Sequence, residues 1–129
     1  MPKQKARLVV MKVLVKAPGK DAVVKDMPQD VVKSAKKIIK PGKFFGLLFN
    51  DVTNTEVAAL ASDGEKVVVY SKKKPSLKND AYNFELQKSP LISFYGSVMF
   101  VRIKDSSSET VDAVDLTDAD IKAIGRFFK

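Results

Sequence analysis

Four lysines, Lys33, Lys36, Lys37 and Lys40, recur at three- and four-residue spacing. On a helix that spacing stacks them into one stripe. A stripe of ammonium groups suits phosphate tracking, because each phosphate it neutralises releases a condensed counterion. Lys43 follows the next turn signal and extends the patch. A second basic run, Lys72-Lys73-Lys74 with Lys78, lies between rings: Tyr70 precedes it, and Tyr82 and Phe84 follow it. Cations flanked by aromatics suit single-stranded nucleic acid, whose phosphates pair with the cations and whose bases stack on the rings. The competing roles are structural: a solvated helix face for the first run, and a hairpin tip with core-facing aromatics for the second. Phe44-Phe45 and Phe94-Tyr95 are further ring pairs at strand positions. Adjacent strand residues point to opposite faces, and burial is the commoner fate of such rings.

Other chemistry is narrowly bounded. The 129 residues contain no cysteine and no histidine, which excludes thiol nucleophiles, disulfides, Cys/His zinc sites and imidazole acid–base catalysis. No Walker lysine motif, paired glycine-rich loop or nucleophile elbow is present. Asp112, Asp115, Asp118 and Asp120 are dense, but they lack calcium-loop spacing, and helix capping accounts for two of them. No catalytic residue, metal or cofactor is therefore expected. Arginine is scarce, at three residues against twenty lysines, and this argues against reading bases through bidentate guanine contacts.

The net charge of +8 is unevenly distributed. Residues 1–45 carry 12 basic and 3 acidic side chains, residues 46–104 carry 8 and 6, and residues 105–129 carry 3 and 6. The positive field is thus concentrated in the first third of the chain, where it raises encounter rates with polyanions.

The elements that must position these groups are legible from periodicity. Arg7–Lys16 reads as a central strand, with Leu8, Val10 and Leu14 on one face and Val9, Met11, Val13 and Val15 on the other. Lys12 and Lys16 interrupt this apolar stretch and no small-x-small cleavage site follows, so a core strand is expected rather than a signal peptide. Ala17-Pro18-Gly19-Lys20 signals a turn into a short strand at 22–25. A helix is predicted over Pro28–Ile39, capped by Asp26 or Met27. It buries Val31, Val32, Ala35, Ile38 and Ile39 and ends at Pro41-Gly42. Phe44–Phe49 has strand length. Thr55–Ala61 reads as strand by context and as a short helix by its alanines. Ser62-Asp63-Gly64 signals a hairpin, and Glu65–Tyr70 a strand. Ser71–Asp80 reads as a polar loop, and Tyr82–Phe84 resumes order. Leu91–Ile103 is the longest strand candidate, with Gly96 marking a bulge or close approach. Lys104–Thr110 reads as a solvated loop. The C-terminal helix is capped by Thr117 with Asp120 at N3, stapled by Leu116 and Ile121, and buries Ile121, Ile124, Phe127 and Phe128.

The order is thus roughly β-β-α-β-β-β-β-α. It predicts one α+β domain over 1–129, two-layered, with a mixed or antiparallel sheet and two helices on one face. Residues 1–6 are expected to form a flexible basic tail. No apolar run approaches the ~18 residues of a membrane span.

Three segments, Lys16-Ala17-Pro18-Gly19-Lys20, Phe94-Tyr95-Gly96-Ser97-Val98 and Leu116-Thr117-Asp118-Ala119-Asp120-Ile121, together resemble a family of small phage- and plasmid-encoded proteins of unknown function. The chain departs from that family in its lysine-rich loops and across Asn50–Leu60. The resemblance implies a mobile-element setting and an accessory role such as host takeover or counter-defence. It brings no catalytic residues.

The expectation is a non-enzymatic cytoplasmic protein, in an infected host cell if the phage resemblance holds. Its lysines bind RNA or single-stranded DNA without sequence preference. Two alternatives stand beside it: an inhibitor of an acidic or nucleic-acid-binding host protein, and a sponge for anionic nucleotide ligands.

Overall fold

The computed structural model describes residues 10–40, 43–44, 47–48, 52–57, 64–75, 80–87, 91–104 and 112–128, with backbone alone at 43–44, 47–48 and 112. In chain order the elements are β1 (Val10–Lys16), β2 (Val23–Pro28), α1 (Val31–Ile39), β3 (Lys43–Phe44), β4 (Leu47–Leu48), β5 (Val52–Val57), β6 (Glu65–Lys72), β7 (Tyr82–Leu86), β8 (Ile92–Tyr95), β9 (Val98–Lys104), β10 (Asp112–Val114) and α2 (Asp118–Gly125). A 3-10 turn, Arg126–Phe128, continues α2.

The main sheet has six strands in the order β2-β1-β9-β6-β5, and β10 also pairs with β9. Every ladder among the described residues is antiparallel. β1 and β10 share one edge of β9: Leu14 lies opposite Phe100, and Val114 opposite Arg102. Asp115 and Leu116 then cross to β1. The Asp115 carboxylate accepts the Lys12 N–H at 2.8 Å, and the Leu116 N–H donates to the Lys12 carbonyl at 3.1 Å.

The α+β class agrees with the sequence and the order of elements is close to it, with ten described strands where six were expected, but the helices lie on opposite faces of the sheet rather than on one. Val68, Tyr70, Met99 and Val101 pack with Val31, Ala35 and Ile39 of α1. Val67, Val69, Val98 and Phe100 pack on the other side with Phe84, Leu86 and Phe94 of the β7–β8 hairpin and with Ile124 of α2. The cause is compositional. β6 and β9 are apolar at consecutive positions, so both of their faces need cover, and a single added layer would leave one of them wet.

Glycine sets the other large departure. Leu91–Ile103 is not one strand: Gly96, at φ 81°, divides it into β8 and β9. The Gly96 N–H donates to the Ala81 carbonyl at 2.8 Å, which turns the chain from the hairpin into the main sheet. A β-carbon there would make only ordinary contact, with Asp80 at 3.6 Å, so the requirement is the left-handed backbone and not space.

Smaller differences follow local chemistry. Pro28 ends β2 instead of opening α1, and the cap is Asp30, whose carboxylate accepts the Lys33 N–H at 3.2 Å. Residues 43–48 contain two short paired strands, not one. The ambiguous segment is a strand as far as Val57, and β10 was not anticipated. The 17–20 turn is present, with Gly19 at φ 71°. Arg7–Val9, the 1–6 tail, Pro41-Gly42, Ala58–Asp63 and the 105–110 loop lie outside the described residues.

α2 forms as its sequence requires. The Thr117 hydroxyl accepts the Asp120 N–H at 3.1 Å, and the Asp120 carboxylate accepts the Thr117 N–H at 3.0 Å. Leu116 and Ile121 join the same apolar cluster, where Phe127 and Phe128 stack on and against Phe84 at 6.3 and 5.2 Å.

Candidate nucleic-acid interface

α1 is positioned by its apolar stripe. Val31, Ser34, Ala35 and Ile39 are buried, and Ser34 replaces the expected Val32, which is 40% exposed. Burying Ser34 is satisfied locally, because its hydroxyl donates to the Pro28 carbonyl at 2.7 Å. Turning that stripe inward turns Lys33, Lys37 and Lys40 outward, and all three are exposed. None of them forms an ion pair with a described residue. Lys36 is half-buried and already engaged. Lys40 closes the helix in the left-handed region at φ 55°, its N–H donating to the Lys36 carbonyl at 2.8 Å.

The C-terminal half of α1 overlooks a groove of about 520 Å³. Lys37, Ile38 and Lys40 form one wall, Lys25 and Asp26 of β2 the other, and Ser97 closes one side. A helix C-terminus carries about half a negative charge, which would repel an anion. Here Lys37, Lys40 and Lys25 outweigh it together with Asp26.

The second basic run is built differently. Lys72 ends β6, and its ammonium binds the Asp80 carboxylate at 2.7 Å, with both side chains mostly covered. It is therefore neutralised and is not a phosphate-facing cation. Lys73 and Lys74 are exposed, and Lys74 has a partner. Lys43 is described by its backbone alone, and Lys78 lies outside the described residues.

Two of the three candidate stacking rings are core residues. Tyr70 is 2% exposed and belongs to the α1 cluster. Burial pushes its phenol pKa above the usual value, and a hydrogen bond with Asn54 partly offsets this. Phe84 is 3% exposed, stacked on Phe94 at 4.8 Å and tilted against Phe100 at 5.6 Å. Neither ring has a face open to a base. Period-two alternation sends Tyr70 and Phe84 inward because both sheets bury that side. Tyr82 is 49% exposed and meets Tyr95 edge-on at 5.7 Å. Its hydroxyl donates to Glu85 at 2.9 Å, and that bond is the main reason its pKa is raised.

Lys73 of the second run and the α1 lysines lie on opposite sides of the sheet. α1 covers one side. Lys73 borders a second, smaller groove on the other side, between β5–β6 and the hairpin, lined also by Thr53, Thr55, Ser71, Ser93 and Tyr95. Sequence reasoning missed this groove. Its signal was the alternation Thr53-x-Thr55 and Ser71-x-Lys73, which makes that end of the β5–β6 face polar.

Sequence reasoning also missed two polar networks. Lys16 is 7% exposed, and its ammonium donates to the Ala17 carbonyl at 2.9 Å and the Asn83 amide oxygen at 3.3 Å, beneath the Phe128 ring at 5.2 Å. The Asn83 NH2 group donates to the Lys16 and Gly96 carbonyls at 2.9 and 2.8 Å. Arg102 binds Glu65 at 2.6 Å and Asp120 at 2.8 Å, and these bonds, Glu65's first, raise its already high pKa. Asp115 and Asp120 are thus structural, and no group of three or more potential metal ligands occurs among the described residues.

No described helix is long and apolar enough to cross a membrane. Comparison of the chain with family models, curated proteins and solved structures finds no match in any of the three.

Proposed function

We propose that the protein binds nucleic acid through the exposed lysine face of α1 and the groove beside it, without sequence preference. The supporting observation is the unpaired set Lys33, Lys37 and Lys40 on one helix, with Lys25 across a groove of about 520 Å³. Such a surface offers flexible point charges that follow a phosphate backbone and no planar donor fork to read a base. No aromatic side chain lines that groove among the described residues, so backbone charge and not base stacking carries the affinity in this reading. The protein acts as a binder rather than a catalyst.

The test is a gel-shift or anisotropy series with a fluorescent single-stranded oligonucleotide between about 20 and 200 mM salt, the range over which phosphate contacts lose most of their affinity. Binding that weakens steeply with salt and is indifferent to sequence is the expected result. Undetectable binding at the lowest salt would remove the proposal.

A further inference from the structure

The groove on the opposite face has a different character. Thr53 and Ser71 are directly opposed across the β5–β6 ladder, and Thr55 lies two residues further along the same face. That face is apolar where it runs under the hairpin, at Val57, Val67 and Val69. It becomes polar at Thr53, Thr55, Ser71 and Lys73, where Ile92 and Phe94 of the hairpin border a groove instead of closing over the strands. Ser93 contributes a fourth hydroxyl from β8. Ser71 is 6% exposed, which makes it the floor. No carboxylate lines the groove among the described residues. Lys72 is held by Asp80, whereas Lys73 pairs with no described residue. Hydroxyl donors around one free ammonium, with no competing carboxylate, match a phosphate group.

The rim is aromatic. Tyr95 forms one wall and is braced edge-on by Tyr82, at 5.7 Å and 74°. A braced ring on the lip of a donor-lined groove offers a platform for a planar base. The volume of about 180 Å³ equals roughly six water molecules at about 30 Å³ each. That matches a phosphate and sugar in size and leaves a base outside, over Tyr95.

We infer that this groove binds a single nucleoside monophosphate, with its phosphate on Ser71, Thr53 and Lys73 and its base on Tyr95. The site is separate from the α1 face and does not depend on it.

The experiment is a titration of the full chain, isotopically labelled, with AMP, adenosine and inorganic phosphate, followed by amide NMR shifts. The expected result is saturable AMP binding, with shifts centred on Thr53, Ser71, Ser93 and Tyr95. Adenosine and phosphate should each bind at least about tenfold more weakly, and Lys73→Gln should weaken AMP about tenfold. Lys37→Gln, on the far face, should leave AMP affinity unchanged. Lys73 is exposed, so its variant should keep the fold, and the wild-type shift map is independent of any variant. Absence of saturation, shifts confined to α1, equal binding of AMP and phosphate, or a Lys73→Gln affinity equal to wild type would each overturn the inference. Oligonucleotide binding through α1 could survive all four.

Discussion

Lys72 and Asp80 close an ion pair at 2.7 Å, and this single contact divides a run of three consecutive lysines into one structural member and two exposed ones. Asp80 also sits beside Gly96, where the chain leaves the hairpin for the main sheet. The pair therefore ties the end of β6 to the base of the hairpin. Lys72→Gln should cost about 1–3 kcal/mol, as expected for a mostly covered charge-assisted bond, and should leave oligonucleotide affinity unchanged. Thermal melts and anisotropy on the same sample check both halves. A loss of affinity without a loss of stability would reverse the assignment.

Asp120 serves two elements at once, capping its own helix and holding Arg102 of β9. Removing a cap costs about 1 kcal/mol and losing a covered charge-assisted bond about 1.5–3 kcal/mol, with Arg102 still paired to Glu65. Since the two share one carboxylate, Asp120→Ala should lower the melting temperature by on the order of 10 °C or more. A shift below about 2 °C would show that the network contributes little.

Truncation after Leu116 removes Ile124 and the Phe127 and Phe128 rings from the second cluster. A single buried Phe lost to Ala costs about 3–5 kcal/mol, comparable with the whole stability of a small domain. The shortened chain should show no cooperative melt by circular dichroism. A melt near the full-length temperature would make α2 an appendage.

Burial raises the Tyr70 pKa, so the folded state holds its phenol proton more tightly than the unfolded chain does. The resulting stability is fully present below the unfolded value of about 10. It is lost as pH rises from there through the higher folded value. Tyr70→Phe should flatten the fall in melting temperature between pH 9.5 and 11, and it should cost about 1 kcal/mol at neutral pH through the lost Asn54 bond. An unchanged alkaline profile would place the titration elsewhere.

Much of this was legible in the sequence because the signals are local. Thr117 and Asp120 specify a cap within one turn, and Pro18-Gly19 specifies a turn within four residues. The α1 stripe was legible apart from one residue: Val32 is exposed because Ser34 finds an acceptor in Pro28 and can take the buried position. What could not be read depends on pairing between distant segments. Whether Leu91–Ile103 is one strand or two depends on the contact between Gly96 and Ala81, and the fate of Lys72 depends on Asp80. The opposite placement of the helices was implicit in Val67-Val68-Val69-Tyr70, whose consecutive apolar residues require cover on both faces. The candidate site divided in the same way. Lys33, Lys37 and Lys40 follow from helical spacing, whereas the burial of Tyr70 and Phe84 follows from which side each sheet covers.

The central claim concerns Lys33, Lys37 and Lys40, and the salt dependence of binding tests it most directly. The measurement is the slope of log affinity against log salt for a single-stranded oligonucleotide, taken for the wild type and for the triple variant Lys33→Gln, Lys37→Gln, Lys40→Gln. Each phosphate contact on a single strand contributes about 0.7 to that slope. The variant should therefore lose about 2 units of slope while its melting temperature stays within about 2 °C of wild type, since exposed substitutions move stability little. A slope that the triple substitution leaves unchanged would contradict the account and place the nucleic-acid contact, if there is one, on another surface.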